Sequence, residues 1–118
     1  MNITWNKCGK DNHWCSLEKL AIDKMSDVAG VYIIWHEGNP PRVVRVGQCD
    51  PIKDRLSAHR NDKEILAYNN KGILRVTWAS VSLKQRDGVE AYLAETWPPL
   101  VGEAFPDVEP IAVNSPWK

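Results

Sequence analysis

The chain has 118 residues, 43% apolar and 25% charged, with a formal net charge of zero. This suits one globular domain with one core, excludes a disordered segment, and argues against a strong nonspecific grip on duplex DNA. No apolar run approaches the roughly 20 residues of a membrane span, and the N-terminus lacks the basic-then-apolar order of a signal peptide, so a cytoplasmic protein without membrane contact is expected.

Residues 1–27 read as an irregular lead-in, in which "SLEKLAIDKM" predicts about two to three turns of helix. Cys8, His13 and Cys15 lie close enough for a metal clip, but C-x-x-C spacing is absent and a further ligand would have to come from elsewhere. Three cysteines are an odd, sparse set, so reduced thiols are expected. "GVYIIWH" (30–36), rich in β-branched and aromatic residues, predicts a strand with Tyr32, Ile34 and His36 on one face. "EGNPP" turns the chain, and "RVVRV" (42–46) predicts the antiparallel partner, with Gly47 ending the hairpin. On that pattern Arg45 shares its face with Val43 and Gly47.

Asp50 and Pro51 suit the start of a helix through "PIKDRLSAHR". "DKEILAYNN" predicts a second helical stretch closed at "NKG". "ILRVTWASV" (73–81) alternates and predicts a half-solvated third strand. "DGVEAYLAETW" (87–97) predicts an amphipathic helix stopped by Pro98-Pro99. The proline-rich tail 101–118 is expected to lay its apolar residues along the domain surface. The resulting class is α+β: a small three-stranded antiparallel sheet flanked by helices, with its core at about 28–100.

Charge is unevenly spread. Six basic residues (Arg42, Arg45, Lys53, Arg55, Arg60, Lys63) face three acidic ones (Asp50, Asp54, Asp62) between 42 and 63, a local surface suited to a polyanion. Arg55 borders the apolar stripe set by Ile52 and Leu56. It reads either as a snorkelling side chain or as an anion-binding fork. Glu90 borders the inner face of the last helix, whereas Glu95 points away. Glu90 reads as a first-turn acid favoured by the helix dipole, as a cleft-lining carboxylate, or as both. His36 and His59, without a second ligand at metal spacing, read as surface or half-buried imidazoles.

In order, "GVY" (30–32), "RVG" (45–47), the arginine eight residues past Gly47 in "IKDRLSAH", and the acidic helix "VEAYLAETWPPL" resemble a GIY-YIG nuclease domain over about Gly30 to Leu100. The resemblance implies a metal-dependent endonuclease that hydrolyses phosphodiester bonds in nucleic acid with Mg²⁺ or Mn²⁺. It implies Tyr32 on the water side, Arg55 on the phosphate and Glu90 as metal ligand; some family spacings also accommodate Glu95. The second motif tyrosine is replaced by Arg45, which can bind phosphate but cannot act as a base. Gln48 stands where relatives often carry lysine, and the asparagine often found after the late proline is absent. Two other classes stay open: a catalytically degenerate module that binds nucleic acid or phosphate through Arg45 and Arg55, and a protein-interaction module that docks a partner through the C-terminal tail.

Overall fold

The computed structural model describes residues 1–102 and 105–117; Glu103, Ala104 and Lys118 of the expected tail lie outside the described residues. Strands β1 (Cys15–Ser16), β2 (Gly30–His36) and β3 (Arg42–Cys49) precede helices α1 (Ile52–His59) and α2 (Lys63–Leu66). Strand β4 (Leu74–Ser80) and helix α3 (Leu83–Thr96) follow. The sheet is antiparallel, in the order β1-β4-β2-β3.

Strand β2 lies in the middle because both of its faces are apolar. Tyr32 and Ile34 pack with Val44, Ile52, Leu56, Val76 and Trp78 on the α1 side. Val31, Ile33 and Trp35 pack with Val46, Val89 and Leu93 on the α3 side. An eight-residue helix such as α1 is too short to persist alone. Ile52, Leu56 and His59 form its buried stripe, and burying each of the two aliphatic side chains contributes about 2 kcal/mol. Asp62 starts α2 by accepting the Glu64 N–H at 2.9 Å.

The sheet has four strands rather than the expected three. Cys15 and Ser16 pair with Val76 and Arg75, and the Leu17 N–H extends the ladder to the Leu74 carbonyl. A two-residue strand carries no alternation for a sequence pattern to register. The helix expected over "SLEKLAIDKM" is reduced to a 3₁₀ turn at Ile22–Lys24. Tertiary bonds claim its backbone: the Arg60 guanidinium donates to the Leu17 and Leu20 carbonyls. Cys8 and Cys15 form a disulfide, against the expected reduced thiols, and Cys49 is free.

Strand β3 runs through Gly47 to Cys49 instead of ending at Val46, since Gly47 and Gln48 keep their register with Tyr32 and Val31. A bulge changes its faces. Ile34 opposes Arg45 but Trp35 opposes Val43, so Val44 is the extra residue. Val43 therefore packs on the α3 side with Trp35, and Arg45 shares its face with Gly47 but not with Val43. Strand β4 is covered on both faces: Thr77 is buried and its hydroxyl donates to the Asn6 carbonyl at 2.8 Å.

Helix α3 starts four residues before the expected Asp87. Asp87 and Gly88, expected at its start, lie inside it, and Gly88 admits the tail: the Ile111 N–H donates to the Gly88 carbonyl at 2.9 Å, and a Cβ on Gly88 would lie 2.6 Å from Ile111 Cδ1. Phe105, Ile111, Val113 and Trp117 of the tail pack on the α3 side of the domain. Asn114 ties this tail to the lead-in, accepting the Ile3 N–H at 2.7 Å and returning a bond to the Ile3 carbonyl at 3.0 Å.

A Cβ on Gly30 would overlap the Ala79 carbonyl of the neighbouring strand. Gly30→Ala is expected to destabilise the protein by about 3 kcal/mol, the upper end for overpacking, because backbone has little room to yield. Urea unfolding measures this directly, and an unchanged midpoint would contradict the packing of β2 on β4.

Candidate functional site

Strand β3 is an edge of the sheet, and among the described residues the chain covers part of it. The N–H groups of Leu100 and Val101 donate to the Val43 and Val44 carbonyls at 3.2 and 2.8 Å. Beyond them, Arg45 to Cys49 form the part of the edge where chemistry-bearing side chains gather.

Tyr32 opposes Gly47, and its ring lies across that glycine so closely that a Cβ there would overlap the hydroxyl. The hydroxyl then meets His59 Nε2 at 2.6 Å. Both residues are buried, with 1% of Tyr32 and 5% of His59 exposed. Burial, reinforced by the Arg45 and Arg55 charges, lowers the His59 pKa to about 4. The ring is therefore neutral near pH 7, with Nε2 accepting the Tyr32 proton and Nδ1 carrying its own. Burial also raises the Tyr32 pKa to about 12, against the pull of Arg45 and Arg55.

Arg45 is half-buried on the Tyr32 side of β3. Its Nε is buried and has no hydrogen-bond partner among the described residues. Gly102, at φ +121°, lets the chain pass close to this guanidinium: a Cβ there would lie 3.0 Å from Nη1. Arg55 is exposed on α1, one turn before His59.

Gln48 points to the other side of β3. Its Nε2 donates to Asp87 Oδ1 at 2.6 Å and to Glu90 Oε1 at 2.7 Å. Glu90, 8% exposed, has its pKa raised mainly by burial and further by Asp87, while Gln48 and then Arg45 and Arg55 act to lower it. Two carboxylate oxygens thus converge on one point, now filled by an amide N–H₂ group. This all-oxygen donor set fits a hard cation such as Mg²⁺ or Mn²⁺, which takes one or two carboxylates and completes its shell with water and phosphate oxygens. Among the described residues no three His, Cys, Asp or Glu side chains cluster for a metal, so the protein's share there would be Glu90 and Asp87.

The sequence-derived candidates Tyr32, Arg45, Arg55 and Glu90 come from four separate elements and act on one another electrostatically: the Tyr32 hydroxyl feels all three charges. Glu95 is exposed elsewhere on α3. Three participants were missed. His59 is a buried partner of Tyr32 rather than a surface or half-buried imidazole; its place seven residues after Ile52 on the apolar stripe was the available signal. Asp87 lies one turn before Glu90, and strand alternation turns Gln48 away from Gly47 toward both acids.

The folded His59 pKa lies below its ordinary 6.5, so the unfolded chain takes up this proton first as pH falls. The His59 contribution to stability is complete above pH 6.5 and declines toward pH 4, by about 3 kcal/mol in all. Glu90 has the opposite sign: its contribution is present below the ordinary 4.5 and is lost as pH rises through its raised value. An NMR titration of the His59 ring is expected to give a midpoint near 4; a midpoint near 6.5 would mean that the ring is solvated and the Tyr32 bond is absent.

Among protein-family models, curated proteins and solved structures, none matches this chain.

Proposed function

We propose that the chain is a GIY-YIG-like domain that binds the phosphodiester backbone of a nucleic acid at the open edge of β3 and, with Mg²⁺ or Mn²⁺, hydrolyses it. The observation that carries this reading is the Arg45 guanidinium, held beside Tyr32 with a buried Nε that has no hydrogen-bond partner among the described residues. A buried donor left unpaired costs about 1–3 kcal/mol, and a phosphoryl oxygen is the acceptor a guanidinium fits best. Arg55 adds a second, exposed fork from α1.

Glu90 and Asp87 would hold the cation in place of Gln48 Nε2; its chemistry when bound is charge neutralisation at the scissile phosphate and the leaving oxygen. Arg45 and Arg55 bind the phosphoryl oxygens and stabilise the charge that grows on them. Tyr32 Oη positions the attacking water. As Oη takes the water's proton, its own passes to His59 Nε2 across the 2.6 Å bond. Tyr32, with a pKa of about 12, does not ionise first, so a relay suits it better than service as a standing base. Burial is the main cause of the low His59 pKa; a phosphate between Arg45 and Arg55 offsets only the smaller share that comes from their charges.

One observation favours binding without cleavage: Arg45 occupies the place of the second motif tyrosine, and an arginine cannot take a proton from water. The tail offers less to a protein-interaction reading, since Phe105, Ile111, Val113 and Trp117 already pack within the domain.

Purified protein with Mn²⁺ is expected to nick DNA or RNA, and Glu90→Gln to abolish nicking with binding retained. Cleavage that survives this substitution removes Glu90 as metal ligand; binding without any cleavage selects the degenerate module. For either outcome, Arg55→Ala is expected to lower the slope of log affinity against log salt by about one phosphate contact. A slope unchanged from the parent protein removes Arg55 from the phosphate site.

A further inference from the structure

A second concavity, of about 760 Å³, opens on the α3 side of the sheet at the opposite end of β3 from Gln48. Its walls include Trp14, Trp35, Trp97 and Trp117, with Arg42 and Glu37 also lining it. The indoles brace one another edge to face: Trp14 on Trp35 at 82°, Trp35 on Trp117 at 89° and Trp97 on Trp117 at 85°. The lead-in, β2, the end of α3 and the tail each supply one tryptophan. Trp35 is buried, and the other three, partly buried, pack against the same core and leave part of their surface open.

The polar groups decide what such a box would accept. One indole already carries a cation: Lys7 Nζ lies 4.4 Å from the centroid of the Trp14 ring. Here Glu37 is paired with Arg75, Oε1 to Nε at 3.0 Å, and exposed Arg42 adds positive charge. A cationic guest is disfavoured, and an anionic group is favoured at Arg42. Thr96 and Trp97, at the other wall, bring the C-terminal end of α3, where last-turn carbonyls accept hydrogen bonds. Trp5 donates its indole N–H to the Asn114 carbonyl, whereas the four cavity indoles have no protein acceptor among the described residues. The fitting guest is a flat ring with both donors and acceptors on its edge and an anion attached. Arg42 and Arg45 stand three residues apart on β3, roughly 10 Å of strand.

We propose that this cavity takes one unpaired nucleobase of a nucleic-acid strand, stacked against the indoles with its phosphate on Arg42. The proposal rests on the nucleic-acid reading of the β3 edge and adds to it a preference for single-stranded or splayed substrate, since a paired base cannot enter such a box.

The test uses the full chain, its tryptophan fluorescence, and three probes: a ten-residue oligodeoxyadenylate, an abasic sugar–phosphate oligomer of the same length, and 1-naphthoate. The adenylate oligomer is expected to quench fluorescence and to bind about tenfold or more tighter than the abasic one, as stacking of one base on aromatic side chains gives. Trp97→Ala should remove that advantage and leave abasic binding unchanged. Arg42→Gln, an exposed change that leaves the core intact, should weaken both oligomers severalfold. Equal binding of the two oligomers overturns the nucleobase cavity while leaving the β3-edge site standing. Binding of neither oligomer overturns both. Quenching by naphthoate without oligomer binding replaces the nucleobase with a free aromatic acid.

Discussion

Tyr32 reaches the edge of the sheet only because the residue opposite it is glycine. Any side chain on Gly47 would occupy the space of the Tyr32 hydroxyl. The tyrosine starts in the central strand, crosses the edge strand, and ends on His59 of α1. This crossing joins three elements in one hydrogen bond, and it fixes where Arg45 and Arg55 sit relative to a proton-carrying pair. The register of β2 on β3 is therefore a constraint on chemistry as well as on packing. A slip by one residue would put Tyr32 on the other face, against α3.

The electrostatics of the site are divided by the sheet edge. On the α1 side, burial, reinforced by the two guanidinium groups, keeps the imidazole of His59 neutral. On the α3 side, Glu90 and Asp87 share one amide donor, and burial makes Glu90 reluctant to ionise. Each half is unfavourable alone. Among the described residues a buried donor lacks an acceptor on one side, and two acids crowd one nitrogen on the other. An anion would relieve the first and a cation the second. A metal-bound phosphodiester carries both kinds of charge in one ligand, which is the physical reason for reading the two halves together.

Much of this fold was legible because β2, β4 and the second half of α3 carry strong periodicity. The span Gly30–His36 follows from its residues alone. The failures have specific causes. Two residues are too few to reveal β1, and its pairing depends on Val76 and Arg75 far along the chain. The bulge at Val44 has no local signature in "RVVRV", yet it sets the faces of Val43 and Arg45. Helix α3 starts at Leu83 rather than Asp87, and the crossing of Ile111 over Gly88 makes that glycine a packing device inside the helix. For the site, the types and spacing of Tyr32, Arg45, Arg55 and Glu90 could be singled out. The partners that give them their protonation states could not, because His59, Gln48 and Asp87 act through contacts 27, 42 and 39 residues distant in sequence.

Arg45 shows how one side chain redistributes roles. A tyrosine in its place could share the handling of the water's proton. A guanidinium cannot, so proton movement falls on the Tyr32–His59 pair, and the same guanidinium lowers the basicity of that pair. On the nucleolytic reading, a phosphate on Arg45 would offset that guanidinium's share of the His59 depression, while the larger share, which comes from burial, would remain. On that reading Arg45 would link part of the basicity of His59 to occupancy of the site by an anion.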